Sequence, residues 1–178
     1  MTGRRVLIAG VGNVLRRDDG FGVVVAQRAE CRLAGLPGVR VIETGIGGVA
    51  MVQELMDGFD ALFVADIVRR DGVPGSLYVL APQVPDPGTQ GGQEAAEFLS
   101  DLHRADPSRG FGLAAALGVL PAMVRIIACE PLECDEAEIG LTAPVAAAVD
   151  LAVDWLYDQV QNWTEMSAEP VGTRAGGW

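Results

Sequence analysis

The segment Val6-Leu7-Ile8-Ala9-Gly10-Val11-Gly12-Asn13-Val14-Leu15-Arg16-Arg17-Asp18-Asp19-Gly20-Phe21-Gly22 decides the fold, because an apolar run feeds a glycine loop that opens a helix. A strand followed by Gly10 and Gly12 invites a dinucleotide site, since glycines let backbone amides approach a pyrophosphate at a helix N-terminus. The third glycine of that fingerprint is missing, with Leu15 in its place, and the turn continues into Asp18 and Asp19. Paired carboxylates repel a phosphate; when ionised they attract a cation or a proton-transfer partner instead.

Working outward, apolar β-rich runs at roughly 4–10, 38–43, 59–67, 75–81 and 122–129 alternate with helical patterns at roughly 20–34, 47–57, 107–118 and 142–162. This rhythm predicts a three-layer α/β/α domain: a mainly parallel, twisted, five-stranded sheet with helices on both faces. The runs at 59–67 and 75–81 are too close for a crossover helix, which predicts an antiparallel hairpin between them at the sheet edge. Pro, Gly and Gln between Pro82 and Gly92 read as a surface loop. Residues 1–163 read as one domain, and 164–178, small and polar without periodicity, as a mobile tail.

With 178 residues, 49% of them hydrophobic and 21% charged, the chain can build one substantial core. A net charge of −11 argues against a nucleic-acid or anionic-membrane partner, and the arginines fall in scattered pairs (Arg4-Arg5, Arg16-Arg17, Arg69-Arg70) rather than in a basic footprint. Cys31, Cys129 and Cys134 have no CxxC spacing, so they imply neither a disulfide framework nor a zinc ribbon and fit a reducing cytoplasm. No charged-then-apolar leader follows Met1, and the apolar runs stop well short of the ~20 residues of a membrane span. The expectation is a soluble, cytoplasmic protein.

Ligands in open α/β sheets gather beyond the carboxyl ends of the strands. The residues there are Asn13, Asp18 and Asp19, then Glu43 to Gly48, then Asp66, then Glu130. Asp66 closes the run Ala61-Leu62-Phe63-Val64-Ala65, where a carboxylate needs a partner, a metal or an exit from the sheet; taken alone it reads as an acceptor for loop amides. His103, the single histidine, lies just before the helix that Asp106-Pro107 opens, and a lone loop histidine is ordinarily a surface residue. Two strand-end carboxylates and one imidazole nevertheless suit a borderline divalent ion such as nickel or zinc. Asp18-Asp19 also reads as an acidic first turn favoured by the helix dipole, with one carboxylate capping amides while the other faces the pocket. The run Glu130, Glu133, Asp135, Glu136 and Glu138 reads as a solvated loop without a catalytic part. HExxH, GxSxG and GxxxxGK[ST] motifs are absent; Cys129 reads as core, with a thiol route through His103 as the lesser alternative.

Taken together, these residues resemble the hydrogenase maturation protease family, endopeptidases that remove a C-terminal extension from the large subunit of nickel-iron hydrogenases after nickel insertion. The likeness covers about residues 4 to 160. It rests on the opening loop Gly10 to Gly22, the second glycine loop Glu43 to Gly48, the strand end Phe63-Val64-Ala65-Asp66, and Gly140 to Val145 before the last helix. It implies that Asp19, Asp66 and His103 bind the nickel by which the loaded precursor is recognised, with Asp19 or Asp18 as general base and no covalent nucleophile. The family's first ligand is often Glu, and its second glycine loop commonly reads Asp-Gly-Gly-Thr where this chain has Glu43-Thr44-Gly45-Ile46. Two further readings compete: a non-cleaving, nickel-dependent chaperone for the same subunit, and a dinucleotide-dependent oxidoreductase.

Overall fold

The apolar run of the opening segment becomes the central strand β1 (Val6–Val11), buried along its whole length. The computed structural model describes residues 4–45, 48–82 and 107–165. The other strands are β2 (Val39–Gly45), β3 (Ala61–Ile67), β4 (Leu77–Leu80) and β5 (Met123–Cys129). The helices are α1 (Phe21–Arg32), α2 (Val49–Leu55), α3 (Pro107–Ala116) and α4 (Ala143–Glu165), and a 3-10 turn, Arg17–Gly20, precedes α1. Strand order is β2-β1-β3-β5-β4; β1 pairs in parallel with β2 and β3, β3 pairs in parallel with β5, and β4 runs antiparallel to β5. His103 and the tail beyond residue 165 lie outside the described residues.

The expected hairpin between β3 and β4 is corrected. β4 is the antiparallel edge, but its partner is β5, which inserts between β3 and β4. The connection after β3 crosses the end of β5 instead of turning back. The amide of Val68 donates to the Cys129 carbonyl at 2.9 Å, that of Gly75 to the Glu130 carbonyl at 2.8 Å, and that of Glu130 to the Ser76 carbonyl at 2.9 Å. Both sides of β3 are thereby occupied by parallel partners.

Alternation along the strands divides the core in two. Val6, Ile8, Phe63, Ala65, Ile127 and Cys129 face α1 and α4 through Phe21, Val25, Val149 and Leu156. Leu7, Ala9, Leu62, Val64 and Val124 face α2 and α3 through Met51, Leu55, Phe111 and Ala114. Because β2 and β3 lie on opposite sides of β1, the strand order reverses there, and a crevice opens at the carboxyl ends of β1 and β3. Among the described residues no helix is long and apolar enough to cross a membrane.

The glycines of the opening segment serve this packing. A Cβ on Gly10 would lie 2.2 Å from the Gly22 carbonyl oxygen, and one on Gly12, whose φ is +136°, would lie 1.8 Å from that of Asp19. A Cβ on Gly22 would lie 2.2 Å from the carbonyl oxygens of both Val11 and Ala65, so α1 begins pressed against the ends of β1 and β3. The pattern that invites a dinucleotide is accounted for by close backbone approach. Ala for Gly inside a helix ordinarily gains about 1 kcal/mol. Gly22→Ala is expected instead to lose about 1–3 kcal/mol through overpacking against backbone, read as a lower urea midpoint at unchanged m-value; a gain in stability would contradict the packing described.

Candidate active site

The two adjacent aspartates of the 3-10 turn have different surroundings. Asp18 is fully buried. Its Oδ2 accepts hydrogen bonds from the Leu132 and Glu133 amides, both at 2.9 Å, and from the Thr142 hydroxyl at 2.8 Å, while its Oδ1 accepts the Thr142 amide at 2.7 Å. A buried carboxylate is costly unless donors surround it, and hydrogen bonds to a charged group are worth about 1.5–3 kcal/mol each. Backbone bonds reinforce the seam: the Asp18 amide donates to the Glu133 carbonyl at 3.0 Å and the Arg17 amide to the Glu138 carbonyl at 2.7 Å. Asp18 thus buckles the opening turn to the loop between β5 and α4, and its surroundings make it a positioning residue.

Asp19 is half-buried, and its Oδ2 accepts the Asn13 amide at 3.1 Å. Burial holds its carboxyl above the ordinary aspartate range, although the Asn13 amide, Arg16 and Arg69 pull the other way; Asp135 adds to the rise. Asp66 is also half-buried, and its Oδ1 accepts the Ile67 amide at 2.8 Å. It lies one residue beyond the Gly10–Ala65 register pair, level with Val11, and the 3-10 turn packs against β3. The fold therefore places Asp19, in the turn before α1, and Asp66, near the end of β3, at the same carboxyl end of the sheet. Among the described residues, no group of three His, Cys, Asp or Glu side chains is arranged to hold a metal ion. The described part of the expected set is two carboxylates.

The acidic loop after β5 is exposed at Asp135, Glu136 and Glu138, as its composition suggests, but Glu130 departs from that reading. Glu130 is buried, and both its carboxylate oxygens accept the Arg70 amide at 3.0 Å, which pins the β3–β4 connection across the sheet end. Arg69 donates to Cys134 Sγ at 2.9 Å and to Asp135 at 2.6 Å, and Arg16 reaches Asp135 from the other side at 3.3 Å. Arg69 and Asp135 belong both to the electrostatic surroundings of Asp19 and to the lining of a cleft of about 300 Å³, with Glu130, Leu132 and Cys134. Sequence reasoning passed over Arg69, and it noted Glu130 at a strand end but counted it with the solvated loop. The signal for Glu130 is the one that marks Asp66: an acid directly after a fully apolar strand end.

Cys129 is inaccessible, and burial first, then the charges of Asp18 and Glu130, push its thiol up to about 12. A thiolate nucleophile there is disfavoured.

A mainly parallel sheet with half-buried carboxylates at the carboxyl end of its strands, beside a fully buried thiol, offers carboxylates rather than a thiolate for chemistry. Residues 23–159 match the family model described as hydrogenase maturation protease, and the chain belongs to that family, which makes it a peptidase. Curated relatives include the hydrogenase expression/formation proteins HupD of Rhodobacter capsulatus, 28% identical over 89% of this chain and 72% of that protein, and HoxM of Azotobacter vinelandii, 30% identical over 86% and 70%. Among solved structures, the hydrogenase maturating endopeptidase HybD from E. coli is 25% identical with a TM-score of 0.65, covering 89% of this chain and 93% of that one. A hydrogenase 2 maturation peptidase from a Thaumarchaeota archaeon is 29% identical with a TM-score of 0.62, covering 89% and 99%.

The different surroundings of the two aspartates separate their substitutions. Asp18→Asn turns a donor toward amides that need an acceptor and is expected to lose about 2–4 kcal/mol in urea unfolding. The raised pKa of Asp19 means that folding favours its protonated form: that stabilisation is complete below the ordinary aspartate value and lost as pH rises through the raised one. At neutral pH, Asp19→Asn should therefore be at least as stable as wild type, to within about 0.5 kcal/mol. Equal losses for the two variants would refute the distinction.

Proposed function

We propose that this endopeptidase removes the C-terminal extension of a nickel-iron hydrogenase large-subunit precursor after nickel insertion, and that Asp19, Asp66 and His103 meet the nickel that the substrate presents. The observation that supports the reading is that two half-buried carboxylates, Asp19 and Asp66, stand at the carboxyl end of the sheet by its switch point, in a chain whose relatives are named for hydrogenase expression and formation. Two carboxylates and an imidazole hold a free ion weakly. An ion already gripped by the substrate's own ligands gains from them a second anchor, so binding strengthens only when metal and precursor arrive together.

Anchoring the metal fixes the adjoining peptide over the crevice, converting an encounter of two proteins into a positioned, effectively unimolecular step. A precursor without nickel lacks that anchor and is left uncut. Asp18 keeps the opening turn in place through its four donors. Asp19, raised by burial toward the working pH, is the carboxylate of the pair suited to take a proton from an attacking water. The three cysteines are free, which supports a reducing compartment such as the cytoplasm.

Intact-mass analysis of nickel-loaded and nickel-free precursor tests the proposal. Wild type should release one discrete C-terminal peptide from the loaded form alone, and Asp19→Asn and Asp66→Asn should each slow release by about 100-fold or more while remaining folded. Processing by both variants at the wild-type rate would sink the assignment. Because Asp19 acts as carboxylate, kcat/KM, which reports the free enzyme, should fall as the pH is lowered, with a midpoint above the ordinary aspartate value of 3.8; a midpoint at or below it would remove Asp19 from the rate-determining chemistry.

A further inference from the structure

We infer that Leu15, Val73, Leu132 and Ile139 form an apolar collar that docks an apolar surface of the hydrogenase large-subunit precursor beside the segment to be cut. The occupant rests on the function proposed above. Ten large apolar side chains stand exposed among the described residues, and these four, at 57%, 74%, 58% and 75% exposure, all lie on loops at the site end of the sheet. Leu15 belongs to the opening loop, Val73 to the β3–β4 connection, and Leu132 and Ile139 to the connection between β5 and α4.

These loops are braced to one another. Asp18 holds the Leu132 amide at 2.9 Å, the Arg17 amide reaches the Glu138 carbonyl at 2.7 Å, and Glu130 holds the Arg70 amide at 3.0 Å. The four side chains therefore stand on a rim that needs little ordering before it binds, which lowers the entropic cost of docking. Charges on the rim are largely matched within the chain: Arg16 and Arg69 pair with Asp135 at 3.3 and 2.6 Å, and Arg17 pairs with Glu138 at 2.9 Å. Among the described residues, Asp71 and Glu136 stay exposed without an ion pair on the same loops, so the apolar side chains stand within a polar surround.

Position selects the occupant. Leu132 lines the cleft whose Arg69 and Asp135 also face Asp19, so a protein seated with a peptide bond at Asp19 covers the collar as well. Clustered apolar side chains with a polar surround mark protein-binding surfaces. They also give an endopeptidase a grip on the body of its substrate that is independent of the metal.

The test compares wild type, the triple variant Leu15→Ser/Leu132→Ser/Ile139→Ser, and a control, Met56→Ser/Leu151→Ser, which removes side chains 66% and 63% exposed at the end of α2 and on α4. Cleavage of nickel-loaded precursor should show KM raised at least about tenfold in the triple variant, kcat within about twofold, and the control unchanged. Urea unfolding verifies the fold; if the triple variant does not fold, Leu15→Ser and Ile139→Ser are measured singly, with KM again expected to rise. An unchanged KM, or an equal rise in the control, overturns the collar and leaves the proteolytic reading intact. A wild-type dimer in sedimentation that the triple variant dissolves also overturns it, by assigning the surface to self-association. A wild type that neither binds nor cuts the precursor overturns the proposed function, and this occupant with it.

Discussion

The site depends on one buried carboxylate. Asp18 lies under the surface with its oxygens surrounded by three amides and a hydroxyl, drawn from the loop after β5 and from Thr142 at the entry to α4. Burying an ionised group without such donors would cost several kcal/mol, so the turn, the loop and the helix entry are stable only in each other's company. Asp19 follows directly in the chain, and its position is set by that clamp and by the contact of Gly12 with its carbonyl. Two neighbouring aspartates thereby divide the work: one is saturated with donors and rigid, while the other, with fewer donors, is half-buried at the crevice.

Much of this was legible because it follows from local periodicity. Val6 and Ile8 alternate with Leu7 and Ala9 onto two faces, and the structure assigns each set its own helix pair. The positions of Asp19 and Asp66 at strand ends followed from the same pattern. The partner of β4 did not, since pairing with β5 joins segments far apart in the chain, and no local spacing announces that a later strand will occupy the edge of β3. Glu130 was visible as a strand-end acid but not as a buried one: composition groups it with Glu133, Asp135, Glu136 and Glu138, whereas its burial comes from the β3–β4 connection folding over it. Arg69 read as half of a surface pair, and its link to Cys134 and Asp135 exists only in three dimensions.

The glycine loop shows how one pattern serves different ends. In a dinucleotide fold, glycines admit a ligand's phosphates; here Gly10, Gly12 and Gly22 admit other backbone segments, and the space a pyrophosphate would need lies beside two carboxylates. The loop thus departs from an anion-binding one by carrying Leu15 at a glycine position and extending the turn to Asp18 and Asp19. The ion pairs of Arg16, Arg17 and Arg69 with the loop after β5 moderate the local negative charge.

The central claim is that the crevice carboxylates touch a metal carried by the substrate. Nickel K-edge absorption of loaded precursor, mixed with the protein and frozen before processing completes, examines that contact directly. The account predicts that wild type adds oxygen or nitrogen scatterers to the nickel shell and that Asp19→Asn and Asp66→Asn each diminish that change. A nickel spectrum unaltered by bound wild type, or altered by both variants as fully as by wild type, would contradict it.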